Sequence, residues 1–228
     1  MIYVSTTYYG SKRSDLHKVL TQLNKLDIDG IEIGSTHTYK KKKDFEKIFK
    51  NFKGKELFIH NFFPPKKNEN FVINIASREK KIRDYSVDFI IESIEFSKKV
   101  GAKLYTFHPG FLSDAKPNMI LPNKNYDFKF NKNISSKKLA NQILIKSLKK
   151  IINHSKAKKM KMALETEGSS LKYNYLMMQK PNEFEDLFKI FPKNLFINFN
   201  IAHSNFASKV FNFSLINFIK QFKKKIAA

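Results

Sequence analysis

Six histidines occur in this chain of 228 residues, and three of them lie where short apolar runs end. His60 closes "ELFIH" and is followed by Asn61, His108 closes "LYTFH" before a proline and a glycine, and His203 follows "LFINFNIA", with Asn200 in between. A fourth run, "KMALETE", ends in Glu165 and Glu167. Two imidazoles and a carboxylate, here His60, His108 and Glu165, are a standard ligand set for zinc, manganese or a related divalent ion. Asn200 could add an amide oxygen to that set, and His203 a third imidazole. Each residue alone has an ordinary reading, because a histidine at a strand end is commonly a hydrogen-bonded structural residue. Three or four such residues at successive strand exits are harder to dismiss. Glu167 is either a second carboxylate available for acid–base work or a residue of the rim. Glu32 is charged within the apolar run "GIEIGS", which turns it toward a site mouth rather than bulk solvent. His37 and Asn61 are further polar residues at such exits, on the side where a substrate would lie. His17 and His154 fall within helical patterns and are assigned no role.

Residues so far apart can share a site only if the fold brings the strand ends together. Apolar runs at 1–6, 30–35, 56–62, 103–108, 161–167 and 195–200 alternate with helical patterns near 12–26, 42–53, 79–100, 136–157, 182–191 and 208–224. In the third helix Ile82, Tyr85, Phe89, Ile90, Ile94 and Phe96 recur on or near one face, and Gly101 is a suitable stop. Residues 111–134, rich in asparagine with two prolines, read as a long loop after the fourth strand. Six β-then-α units call for parallel strands covered by helices. A doubly wound sheet would place a glycine-rich phosphate turn after its first strand. With seven glycines in all, no such motif exists. The alternative is a TIM-type (β/α) barrel of α/β class, in which functional residues gather at the C-terminal strand ends. Eight units close such a barrel and six are present, so the expectation is one incomplete barrel domain over 1–228, truncated at its C-terminus. Its first and sixth strands would be two open edges.

Composition narrows the setting. Hydrophobic residues make up 42% of the chain and cysteine is absent, which excludes disulfides and thiolate metal sites. No secretory signal opens the chain, and no run approaches the ~18 apolar residues of a membrane span. The sequence therefore reads as a soluble cytoplasmic protein with no membrane partner; an oligomer is compatible with it. A net charge of +23 invites a nucleic-acid reading. Only Arg13, Arg78 and Arg83 carry guanidinium groups, however, leaving 40 lysines among 43 basic residues. Base and phosphate readout favours the arginine fork. Lysine, asparagine, isoleucine, phenylalanine and tyrosine all have A/T-rich codons, so a base-biased genome explains the charge at least as well. No specific nucleic-acid partner is expected.

The stretch from "IHNFFPP" to "LYTFHPG" resembles the endonuclease IV family. There a strand-end histidine, here His60, leads to an N-L-A-S-like stretch (Asn74 to Ser77), a helix with R-x-x-S (Arg83, Ser86), and H-P-G at His108. "LETEG" resembles that family's metal-bridging glutamate strand, and "NIAH" its D-x-x-H strand. The wider group is the xylose-isomerase-like TIM barrels. "IEIGSTHTY", "HNFFPP" and "FNIAHSNFAS" look more like its isomerase-like members, often linked to surface-polysaccharide sugars. The resemblance implies a divalent-metal-dependent sugar or sugar-phosphate isomerase or epimerase. Its metal, zinc or manganese, would be held by His60, His108, Glu165, His203 and Asn200. Glu165 and Glu167 would be the catalytic carboxylates, and Glu32, His37 and Asn61 the substrate contacts. Two departures stand out: Asn200 replaces the aspartate, and the later ligands from strands seven and eight have no counterpart. The alternatives are a zinc phosphodiesterase acting on abasic DNA and a non-catalytic remnant.

Overall fold

The computed structural model describes residues 2–8, 15–35, 37–52, 55–67, 71–120, 126–168 and 175–228. The start of the first expected helix, with Arg13, lies outside them. Six strands form one parallel sheet: β1 (Tyr3–Ser5), β2 (Gly30–Ile33), β3 (Glu56–His60), β4 (Leu104–Phe107), β7 (Lys161–Glu165) and β8 (Phe196–Asn198), hydrogen-bonded in that order. Helices α1 (Leu16–Leu23), α2 (Lys42–Asn51), α3 (Lys80–Lys99), α4 (Lys137–Ala157) and α5 (Pro181–Ile190) connect them, and α6 (Ile201–Phe211) and α7 (Leu215–Phe222) follow β8. The curled sheet is six units of a TIM-type barrel. No helix among the described residues is long and apolar enough to cross a membrane.

Alternation along each strand divides the sheet into two faces. Ile31, Ile33, Ile59, Tyr105, Phe107, Met162, Leu164 and Ile197 point outward under the helices and are fully buried. Their neighbours point inward. Low on that inner face Phe58, Leu104 and Ala163 form a small separate cluster flanked by Tyr3 and Phe196. Gly30 is required here, since a Cβ on it would meet the Tyr3 ring at 2.0 Å. Above the cluster the inward positions become polar: Ser5, Glu32, His60, Thr106, Glu165 and Asn198.

The helices begin and end as their sequences dictate. Asp15 caps α1 by accepting from the His17 and Lys18 amides, and Leu16, Val19, Leu20 and Leu23 bury one face. Helix α3 stops at Gly101 (φ 78°), where the Ala102 and Gly101 amides return to the Ser97 and Lys98 carbonyls at 2.9 and 3.2 Å. Its buried Ser86, Ser93 and Ser97 satisfy their hydroxyls on carbonyls one turn earlier.

Three expectations are corrected. The 111–134 segment is not only loop: β5 (Ala115–Ile120) and β6 (Tyr126–Phe130) pair as an antiparallel hairpin, with Phe130 packed on Phe111 and Tyr175. The last helical stretch is two helices, because Asn212 takes a left-handed conformation (φ 51°) and Ser214 caps α7. Finally, β8 is not an open edge. Residues 225–228 run beside it in parallel, with Ile197 N–H donating to Lys225 O (2.8 Å), Ala227 N–H to Ile197 O (2.9 Å) and Phe199 N–H to Ala228 O (2.7 Å).

Candidate active site

His60, Glu165 and the neighbours of β4 and β8 reach one place because each stands at the C-terminal end of its strand, pointing inward. One ligand atom from each of His60, His108 and Glu165 lies within 4.8 Å of the others. His60 Nε2 is 3.4 Å from Glu165 Oε2, close to the ~3.3 Å edge of a tetrahedron with zinc–ligand bonds of ~2.0–2.1 Å. Both imidazoles are tied back through their other nitrogen. His60 Nδ1 shares a 2.7 Å hydrogen bond with Thr106 Oγ1, and His108 Nδ1 a 2.5 Å bond with Glu167 Oε1. Each ring is thereby oriented with Nε2 left over, the arrangement that fixes metal-binding histidines. Two imidazoles and a carboxylate with oriented rings are a donor set that could hold a divalent ion.

The electrostatics follow from burial and mutual attraction. Desolvation holds the His60 imidazole below its ordinary range, the Glu165 carboxylate pulling the other way. Burial would lower His108 too, but Glu167, Glu165 and the bond to Glu167 outweigh it and raise His108 to about 9. Burial penalises the Glu165 anion, yet His108, His60, the Asn200 amide and His203 hold it below the usual carboxylate range. Any cation taken by His108 must first displace a proton.

Asn200 occupies a different position from a simple ligand. Its Oδ1 caps α6 by accepting from His203 N–H at 3.1 Å, and its Nδ2 donates to Glu165 Oε1 at 2.8 Å. The group it turns to the centre is a donor. His203 lies beside the cluster, its Nδ1 3.0 Å from Thr166 O and 3.3 Å from Glu165 Oε1. Glu32 accepts from the Ser5 hydroxyl at 2.5 Å and acts electrostatically on both His60 and His108. Asn61 follows His60 in a left-handed turn (φ 50°); its backbone carbonyl accepts from Tyr105 Oη at 2.7 Å, while its buried Oδ1 finds no partner among the described residues. His37 is not gathered into this cluster: it is buried, with Nε2 2.7 Å from Thr6 Oγ1 and its ring edge-on to Phe63.

The N-I-A-S, R-x-x-S and H-P-G residues hold the rim in place. Asn74 Oδ1 accepts from the Ala76 and Phe111 amides at 3.1 and 2.9 Å, and its Nδ2 donates to Asp114 at 2.8 Å. Ser77 also donates to Asp114, at 2.9 Å, Ser86 Oγ accepts from Asn74 N–H, and Arg83 donates to the Ser77 carbonyl. Gly110 (φ 100°) must lack a Cβ, which would meet Asn74 Oδ1 at 2.6 Å. Sequence reasoning missed Thr106 and Asn198, whose Nδ2 donates to Glu165 Oε2 at 3.2 Å. The signal was available in the two-residue period: Thr106 precedes His108 by two, and Asn198 precedes Asn200 by two.

Comparison with known proteins agrees with this architecture. The sequence model of the xylose isomerase-like TIM barrel family matches residues 20–227, and the chain belongs to that family. No curated protein matches it in sequence. Among solved structures it resembles a D-tagatose 3-epimerase-like protein (18% identity, TM-score 0.67, 99% of this chain and 73% of that one). It also resembles a D-psicose 3-epimerase in the presence of D-fructose (14%, 0.72, 99% and 71%). A third is a D-psicose 3-epimerase with D-tagatose from Clostridium cellulolyticum H10 (13%, 0.71, 99% and 71%). At these identities the likeness is one of fold.

Proposed function

We propose that this chain acts on a small sugar or sugar phosphate as an isomerase or epimerase, with a divalent ion at His60, His108 and Glu165. The observation that carries the reading is the convergence of those three ligand atoms within 4.8 Å at the strand ends, with both imidazoles oriented from behind. The reaction needs a proton removed beside a carbonyl and stabilisation of the enediolate that results. A bound zinc- or manganese-type ion supplies polarisation of the sugar's carbonyl oxygen. Glu167 is our candidate to move the proton, through its second oxygen, since Oε1 is engaged by His108 Nδ1. Asn200 and Asn198 hold Glu165 in place through donated hydrogen bonds. Glu32 is our candidate acceptor for a sugar hydroxyl and Asn61 a candidate substrate contact at the next exit, while His37 is bonded to Thr6 beside β2. Phe58 and Leu104 close the floor below.

The test is to load the protein with Zn²⁺ or Mn²⁺, measure bound metal by plasma mass spectrometry, and assay keto- and aldo-sugars, free and phosphorylated, beside an abasic-site oligonucleotide. Turnover of a sugar that Glu165→Gln abolishes supports the proposal. Cleavage of the oligonucleotide overturns it in favour of a phosphodiesterase. Neither activity, with no stoichiometric metal, overturns it in favour of a non-catalytic remnant.

A further inference from the structure

The runs "KKKK" at 40–43 and "PPKK" at 64–67 have no part in the chemistry above, yet the fold brings them together. The loop before α2, the loop after β3 and the middle of α3 enclose a cleft of about 330 Å³. Lys40, Lys42, Lys66, Lys67 and Glu92 line it, over a wall that includes Phe89. No residue of the Glu165 cluster lines it, so this is a separate place on the molecule.

Among the described residues its charges do not balance. Lys40 is taken by Asp15 outside the lining, at 2.9 Å. Glu92, the only carboxylate of the lining among the described residues, is shared by Lys42 at 3.0 Å and Lys66 at 3.4 Å. Lys42 and Lys66 thus share one carboxylate, and Lys67 lines the cleft beside them. Lys66 is also held in place, its Nζ 5.2 Å above the Tyr85 ring and 5.5 Å above Phe89. Ammonium groups converging on a partly apolar cleft of this size suit a compact dianion, which accepts from several donors at once. A cleft of this volume has room for a phosphate or diphosphate group.

We propose that this cleft is an anion site for the phosphate or diphosphate group of a small phosphorylated molecule, binding where Glu92 now bridges Lys42 and Lys66. The proposal is independent of the reaction at Glu165 and is tested without it. Pyrophosphate is titrated calorimetrically into the whole chain at ~150 mM salt, where diffuse attraction to a basic surface is screened. Saturable binding at one site is expected. Lys66→Ala with Lys67→Ala should weaken it roughly tenfold or more, the scale of losing charge-assisted hydrogen bonds. Lys146→Ala with Lys149→Ala, an equal loss of charge on α4, should leave it unchanged. Glu92→Gln should tighten it, since it frees two ammonium groups, and this variant decides the matter if the double variant proves unstable. Absence of saturation, equal losses in the two double variants, or weaker binding by Glu92→Gln would each overturn the assignment.

Discussion

His108 Nδ1 stands 2.5 Å from Glu167 Oε1, so the carboxylate two residues beyond Glu165 on the next strand determines which nitrogen His108 can offer to a ligand. Replacing it tests that dependence. Glu167→Gln should lower Zn²⁺ or Mn²⁺ affinity roughly 10–100-fold, the range for partners lying behind a metal ligand, measured by chelator competition. Unchanged affinity would show that Glu167 does not orient His108.

Asn200→Asp should separate the metal-free and metal-bound forms. Without a cation the new carboxylate replaces a 2.8 Å donor to Glu165 with a like charge, costing ~1–3 kcal/mol. At roughly 2–4 °C per kcal/mol for a chain of this size, thermal unfolding in EDTA should fall by several degrees. Excess Mn²⁺ should reverse the loss, because an added anionic oxygen strengthens the site. A higher melting temperature in EDTA would refute the described role of the amide.

Removal of residues 225–228 should destabilise β8 beyond the loss of a tail. The three backbone hydrogen bonds to Ile197 and Phe199 disappear, at ~1 kcal/mol each, and the Ile197 and Phe199 amides become free to pair with another chain. Lower thermal stability and concentration-dependent oligomers by size-exclusion chromatography are expected. A monodisperse shortened protein of unchanged stability would count against the ladder.

Asp15 supplies a pH-dependent contribution. Its carboxylate lies below the ordinary range chiefly because of the Lys40 hydrogen bond, burial opposing and the Lys18 and His17 amides assisting. A depressed carboxyl in the folded state adds stability above the unfolded pKa of ~3.9, lost as pH falls through the folded value. Asp15→Ala should therefore cost ~1 kcal/mol at pH 7. The gap to the parent protein should close only below pH ~4, as followed by urea unfolding at a series of pH values.

The barrel was legible because each strand is an apolar run and each covering helix repeats its apolar residues at 3.6. The hairpin was not, since Pro117 and the asparagines around it argue against strands locally. What anchors it is distant: Phe130 rests on Tyr175, 4.6 Å between ring centroids. The break after α6 was hidden because Asn212 looks like any other polar helix residue until its backbone turns left-handed. His60, His108 and Glu165 could be picked out by type and strand-end position. Asn200 was misleading in detail: resemblance to D-x-x-H suggests a ligand oxygen, whereas in the fold that oxygen belongs to the start of α6. His37 met the same criterion of strand-end polarity, and its bond to the Thr6 hydroxyl is a contact that no periodicity reveals.

Asn74 gives the rim a collective character. Its single Oδ1 receives the amides of Ala76 and Phe111, one from the segment leading into α3 and one from just beyond His108. Movement of the Asn74 side chain would expose both protons at once, because they share that one acceptor. Hydrogen exchange at Ala76 and Phe111 should accordingly report one shared opening free energy, as members of a single cooperative unit. The segment leading into α3 and the one leaving His108 would then fluctuate together, so this stretch of the rim would open as a whole.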